Sequence, residues 1–250
     1  MHIKYFLSIA MGLIVAAGFV ATQPIASNLS IVSALSILAF AAPSFYVVLR
    51  WLGWKYGAFV LICLGVYALL IETFAIITSF PYGEFSYGQL LDYKILGHTP
   101  WTVAFAWTPI MLFALSLSRY AKSTISYWLL TIIALVAVDL VLDPAAVALQ
   151  FWAWDNPGAY YGVPLINFIG WVISGTIAFG LFQALTKSRS RIPASAVNSG
   201  VGILIFWTTV NIVSLQWIPA GIGLVLCFIA VRFLMRNNLI YLNNRGHADG

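Results

Sequence analysis

The stretch from Val138 to Trp171 reads VDLVLDPAAVALQFWAWDNPGAYYGVPLINFIGW, and most residues able to do chemistry are in it. Asp139 and Asp143 stand four residues apart, so on a helix they share one face about 6 Å apart along the axis. Two carboxylates that close in a low-dielectric place cannot both ionise cheaply, and the pair is expected to hold a proton between them. A carboxylic acid beside a carboxylate is a general acid beside a general base. Glu72 supplies a third acid inside another apolar run. The chain shows no Ser-His-Asp set, no Cys with a base, no Gly-rich phosphate loop and no His/Cys metal cluster. A Mg²⁺-diphosphate site would need more acids on two helices and basic residues for the phosphates, and Lys94 is the one base expected on that side. The expected chemistry is therefore of protons and water on an apolar substrate, with no metal and no cofactor.

The elements that position these acids follow from composition. A chain of 250 residues that is 62% hydrophobic and 8% charged has too little polar surface to cover a soluble core. Apolar runs of about 20 residues suit a bilayer core of roughly 30 Å. Eight are visible: Tyr5–Val20, Ile31–Arg50, Gly57–Phe80, Trp101–Ser118, Ser126–Leu149, Val163–Thr186, Ala196–Ser214 and Ile218–Met235. The expected fold is an all-α polytopic transmembrane bundle of about eight spans, residues 1–250 forming a single integral-membrane domain. Short alternating segments of the kind a barrel needs are not seen. With spans alternating in direction, Lys4, Arg50, Lys55, Arg119, Lys122, Lys187, Arg189, Arg191, Arg232, Arg236 and Arg245 fall on one side and Lys94 on the other. Positive residues stay cytoplasmic, so both termini are expected there, in a multi-pass protein of the cell membrane. The net charge of +5 then reflects topology, and no nucleic-acid partner is implied. Lys4 and the small Ala16, Ala17 and Ala21 leave a signal peptide as the other reading of the first run, but the run is long and no clean A-x-A site follows it. Cys63 and Cys227 sit apart within apolar spans and read as packing residues.

Glu72 lies about two-thirds of the way along the third span, with Gly65, Ala68 and Ile76 on its face. An acid at such depth is a functional signal by default, with a polar clamp between helices as the plainer reading. The loop Pro81–Pro100, PYGEFSYGQLLDYKILGHTP, has Gly83 and Gly88 for tight turns and predicts a short amphipathic helix over Tyr87–Leu96, as a lid or an interfacial connector. His98 reads as an interfacial residue. Pro109 should kink the fourth span near Trp107 and Thr108, and Pro144 should bend the fifth; such kinks free carbonyls and border cavities. Trp152, Trp154, Asp155, Tyr160 and Tyr161 follow in a loop, where part of the aromatic content is the ordinary interfacial belt. Asn167, Gly170, Trp171 and Ser174 share a face of the sixth span, and Trp207, Asn211 and Ser214 a face of the seventh. Glu72, Asp139, Asp143, Asn167 and Asn211 thus come from four spans yet all project into the middle or outer half, which predicts a polar pocket there that admits water. A polar tail is expected after Met235, and no internal repeat is present.

Glu72, PYGEFSYG at 81–88, Asp139 with Asp143-Pro144, the W-x-W of Trp152 and Trp154, YYGVP at 160–164, Asn167 and Gly170-Trp171 together resemble the integral-membrane carotenoid hydratases, the bisanhydrobacterioruberin hydratase and gamma-carotene hydratase type. The resemblance covers roughly Gly57 to Phe182, and the first two and last two spans match only in being apolar. It implies cofactor-independent addition of water across a terminal C=C of an acyclic carotenoid end, giving a tertiary alcohol. Its implied partners are the lipophilic carotenoid, water, membrane lipid and other carotenoid-biosynthesis enzymes. Protonating such an alkene gives a tertiary cation that water captures, which needs a buried acid and a base that orients water. On this reading Asp143 donates the proton, Asp139 helps hold it there and relays others, Glu72 positions and deprotonates the water, and Asn167 and Asn211 hold it. Trp152, Trp154, Tyr161 and Trp171 offer ring faces to the cation, and Trp107 joins them in binding substrate. The resemblance carries the positions and not the division of roles among the acids. A proton-coupled transporter would also bury acids, but it predicts paired halves with matching broken helices, which are not seen. A non-catalytic carotenoid-binding protein needs the aromatics without three acids, and a cyclase would start from the same cation while excluding water.

Overall fold

The computed structural model describes residues 3–23, 30–89, 91, 93–186 and 191–246. Among them are eight α-helices: α1 (Ile3–Thr22), α2 (Ser30–Leu52), α3 (Trp54–Thr78), α4 (Val103–Leu117), α5 (Thr124–Ala148), α6 (Leu165–Thr186), α7 (Asn198–Val213, entered through a 3-10 turn at Ala194–Val197) and α8 (Trp217–Gly246). The chain is an all-α bundle, as its apolar runs predict. Six stretches are long and apolar enough to cross a membrane: Ser30–Leu52, Trp54–Thr78, Thr124–Ala148, Leu165–Thr186, Ala194–Val213 and Trp217–Asn237. Leu7–Thr22 in α1 and Val103–Leu117, all of α4, are shorter apolar helices.

The shortness of α4 has a packing reason. Its 15 residues rise about 22 Å, less than a bilayer core of roughly 30 Å. Every residue from Trp107 to Ser116 is buried, and a helix that is apolar all round belongs at the centre of a bundle. It packs against α2, α3, α5, α7 and the 3-10 turn. Small residues let the surrounding helices close on one another: Gly175 of α6 faces Leu135 of α5, Gly223 of α8 faces Thr208 of α7, and Gly200 of α7 faces the Phe113 ring of α4.

Two loops at one end of the bundle hold the only strands among the described residues. β1 (Phe85–Tyr87) pairs antiparallel with β4 (Trp152–Trp154), and β2 (Lys94–Ile95) with β3 (Thr99–Pro100). The helix expected over Tyr87–Leu96 is therefore corrected to strand and turn. Tyr93, Leu96 and Gly97 have φ of 60°, 51° and 77°, a left-handed backbone that no α-helix continues through. Lys94 Nζ donates to Tyr87 O at 2.7 Å and closes this loop on itself, while Asp92 lies outside the described residues. His98 is exposed in the β2–β3 turn. The polar tail expected after Met235 instead continues α8 to Gly246. Pro109 and Pro144 both stand inside helices. Among the basic residues of the topology argument, Lys187 and Arg189 lie outside the described residues. Cys63 and Cys227 are free thiols, each half-buried.

A Cβ added at Gly200 would lie 2.1 Å from Phe113 Cδ2 and 2.7 Å from its Cβ, so the ring cannot swing clear. Gly200→Ala is expected to destabilise the bundle by about 1–3 kcal/mol, the usual cost of overpacking, read as a lower melting temperature in detergent. An unchanged melting temperature would contradict this α4–α7 contact.

Candidate active site

Asp139 and Asp143 occupy the second half of α5, and Asn167 the first turn of α6 beside them. All three are buried, at 1%, 3% and 2% exposure. Asn167 Nδ2 donates to Asp139 Oδ2 at 3.0 Å and to Asp143 Oδ2 at 2.5 Å, so one amide serves both carboxyls. The two carboxyl groups also lie within hydrogen-bonding reach of each other, while Asp139 Oδ1 has no partner in the protein.

Pro144 explains two of the surrounding polar residues. It has no N–H for the Leu140 carbonyl one turn back, and its ring strains the helix there. Tyr160 Oη donates to Leu140 O at 3.0 Å, and Asn211 Nδ2 to Val141 O at 2.8 Å. Buried carbonyls loosened by a proline need such donors. Asn211 therefore caps the α5 backbone rather than turning toward the acids.

Glu72 reaches the same region from α3, 7% exposed. Tyr87 Oη donates to Glu72 Oε2 at 3.0 Å. Tyr87 comes from β1, whose register sets Phe85 opposite Trp154 and Tyr87 opposite Trp152. Alternate strand residues share a face, so the FSY and WAW segments together present four aromatic rings over the acids. Phe85 packs on Tyr87 and on Trp154, and Tyr87 edge-on to Trp152, at centroid distances of 5.5, 6.0 and 5.9 Å. Trp154 Nε1 donates to Tyr82 O at 2.9 Å and ties this roof to the end of α3. Burial, followed by the charge of Glu72, holds the Tyr87 phenol well above its ordinary value, so it remains a neutral donor. The Tyr82 phenol is raised for the same two reasons in the same order. Trp152 faces Asp143.

Under the roof, Trp107 of α4 and Trp171 of α6 stack at 5.7 Å with 6° between their planes. Tyr82 Oη faces Ser174 and Trp107, yet Tyr82 Oη, Trp107 Nε1 and Ser174 Oγ are all buried without a hydrogen-bond partner in the protein. Three polar atoms drawn from a loop, α4 and α6 thus converge beside the acids with their hydrogen-bonding capacity unspent.

Tyr82, Trp107 and Trp171, with Glu72, Asp143 and the roof, border a cavity of about 840 Å³. Seven of the ten residues singled out in the sequence line it: Glu72, Asp143, Trp107, Trp152, Trp154, Asn167 and Trp171. Three do not. Asp139 stands behind Asp143 and Asn167, Asn211 is bound to α5, and Tyr161 lies at the α8 entrance, where its hydroxyl accepts from Ile218 N at 3.4 Å. Sequence reasoning missed Tyr82 and Tyr87 as neighbours of the acids, whereas Ser174 was placed on the same face as Asn167. The period-two aromatics of FSY were the available signal for Tyr87. The cavity is also longer than the outer-half pocket expected. An apolar arm leaves the acid end and runs between α1, α2 and α7, past Phe206 and Ile203 as far as Asn198. Among the described residues no three His, Cys, Asp or Glu converge as a metal site would require.

Comparison with known proteins places this geometry in context. The model of a family described as carotenoid biosynthesis protein matches residues 31–230. Bisanhydrobacterioruberin hydratase from Haloarcula japonica is 35% identical over 176 residues, 66% of this chain and 60% of the relative. The chain thus spans about 60% of the length of that curated relative. No solved structure matches the chain.

Replacing Asn167 by Leu keeps the bulk and removes the amide that both carboxyls share. Stripping a buried acceptor of its donor costs about 1–3 kcal/mol. Asn167→Leu is expected to lower thermal stability in detergent by that amount, and Asn167→Gln by less. Equal melting of Asn167→Leu and wild type would show that the bridge contributes nothing.

Proposed function

Because the chain belongs to the carotenoid biosynthesis protein family, we propose that it is a carotenoid hydratase, a cofactor-independent hydro-lyase that adds water across a terminal C=C of an acyclic carotenoid end to give a tertiary alcohol. The observation that carries this reading is that Asp143 and Glu72 face one enclosed space beneath an aromatic roof, at the closed end of an otherwise apolar cavity. A hydrocarbon end fits such a space. The two acids are the only charged groups lining it among the described residues.

In this mechanism Asp143 gives its proton to the CH carbon of the terminal double bond, and the positive charge forms on the neighbouring tertiary carbon. The faces of Trp152, Trp171 and Trp107 stabilise that cation, because an aromatic face is electron-rich and the site is desolvated. Water adds to the tertiary carbon and gives up a proton to Glu72, so the sum of the steps is one water added and no proton gained or lost. Tyr87 orients Glu72 through its hydrogen bond. Asn167 orients Asp143 and Asp139 through one amide, and Asp139, which does not line the cavity, acts as a positioning residue and proton relay. Tyr82 and Trp107, which line the cavity with unpartnered polar atoms, hold the attacking water together with Asn167, while Asn211, expected to share that part, is bound to the α5 backbone. That polar cluster favours hydration over cyclisation, which needs the same cation and a dry site. The protein works in this reading as a single integral-membrane domain of the cell membrane, where its substrate is dissolved and other carotenoid-biosynthesis enzymes supply it.

Expression in a host that makes an acyclic carotene tests the reading by mass: each reacted end gains one water. Asp143→Asn and Glu72→Gln are each expected to lower hydration by about 10²–10⁴-fold, the contribution of a positioned acid or base. Asp139→Asn is expected to cost less than either. Undiminished product from Asp143→Asn would remove the donor assigned here, and no water added by wild type would remove the activity. Tyr87→Phe, which only frees Glu72 to turn, is expected to lower turnover about three- to tenfold, the scale of one net hydrogen bond.

A further inference from the structure

The arm of the cavity away from the acids is built by three helices that do not close on one another. Both α1 and α2 pack on α7, but α1 and α2 scarcely meet. Along the gap, Ile9, Phe19 and Val32 border the cavity while 57%, 67% and 52% exposed, whereas Asp143 at the other end is 3% exposed. The cavity is therefore shut at the acids and open on the outer flank of the bundle, toward lipid.

On α1 the lining residues Ile9, Leu13, Ala16 and Val20 recur every three or four positions, which is one face of a helix. From Ile9 to Val20 that face rises about 16 Å. The arm is thus straight and lies along the helix axes, a shape that suits a stiff rod better than a folded chain. No charged side chain lines it among the described residues, and Ser36, one of its few polar groups, turns its hydroxyl back to Val32 O at 2.8 Å. A phospholipid headgroup finds no cation here. A hydrocarbon without a headgroup needs none.

At the junction of the three helices stands Gly202 of α7. A Cβ there would touch Phe40 of α2 at 3.5 Å and Leu13 of α1 at 3.6 Å. A Cβ alone would be in ordinary contact there, so any larger side chain at 202 has to push into the space between α1 and α2.

We propose that a linear polyene enters sideways from the lipid between α1 and α2 and lies in this arm with its reacting end at Asp143, and that Gly202 keeps the arm wide enough to hold it. The inference rests on the reading of the acid end as a carotenoid-hydrating site, and binding is measured apart from turnover so that the two stand or fall separately.

The test uses the full chain purified from a host that makes an acyclic carotene, with two readouts: carotene retained per protein, and the fraction carrying added water. Gly202→Leu is expected to lower both by about tenfold or more, the scale on which surplus bulk is felt in an apolar pocket. Phe40→Ala in the Gly202→Leu background makes room again and is expected to restore both. Gly221→Leu is the control, since nothing lies within 4 Å of a Cβ at that position of α8, and it is expected to change neither. Retention of carotene by Gly202→Leu at the wild-type level overturns the slot, as does a loss that Phe40→Ala fails to restore. Wild type that retains phospholipid and no carotene overturns it too. If wild type retains carotene without hydrating it and Gly202→Leu does not retain it, the slot stands and the hydratase reading falls. If wild type hydrates and Gly202→Leu hydrates equally, the hydratase reading stands and the slot falls.

Discussion

A carboxyl group taken out of water must be given hydrogen bonds or it destabilises whatever buries it. Three such groups, Glu72, Asp139 and Asp143, lie in the interior of this bundle, and much of the architecture at that end answers their demand. Asn167 divides one amide between two of them, and Tyr87 is brought in from a loop to serve the third. The β1–β4 pairing is what delivers Tyr87, and it also turns Trp152 and Trp154 over the same space. The aromatic roof and the hydrogen-bonding of the acids are therefore one structure.

The two ends of the cavity obey opposite rules. At the acids, polar atoms are numerous and several are unspent, among them Asp139 Oδ1, Tyr82 Oη, Trp107 Nε1 and Ser174 Oγ. Along α1, α2 and α7 the walls are almost wholly apolar and partly open. α4 makes this division possible, because it is buried all round and so holds α2, α3, α5 and α7 at fixed distances. In the proposed reaction water takes the polar end and hydrocarbon the apolar one, which is what addition of water to an oily molecule requires.

The helices were legible because an apolar run of some 20 residues has few other structural meanings. The acids were legible for a related reason: a spacing of four puts Asp139 and Asp143 on one face whatever surrounds them. The roof was not. FSY and WAW are three-residue segments 65 or so positions apart in the chain, each too short to read as a strand, and each is a strand only because the other pairs with it. Asn211 was misread for a similar reason, since its partner is a carbonyl on α5 that only the folded chain brings near. The arm has no motif at all. It is the space left between three helices, and its sign in the sequence is no more than the glycine at 202.

Asp139 and Asp143 are the same acid in different surroundings, and Pro144 directly follows the second. Both carboxyls are buried and both accept from Asn167, yet only Asp143 borders the cavity. A proline directly after Asp143 removes the bond that would hold this turn of α5 in register and crowds the turn before it. The neighbours then take up the loosened carbonyls: Tyr160 takes that of Leu140 and Asn211 that of Val141. Each of these bonds anchors α5 to a different wall, the first to the loop before α6 and the second to α7. Both anchored carbonyls lie between the two acids in the chain, so this stretch of α5 is held from two sides. Of these two identical side chains only Asp143 borders the cavity, and in the proposed reaction that leaves the pair one proton-donating member.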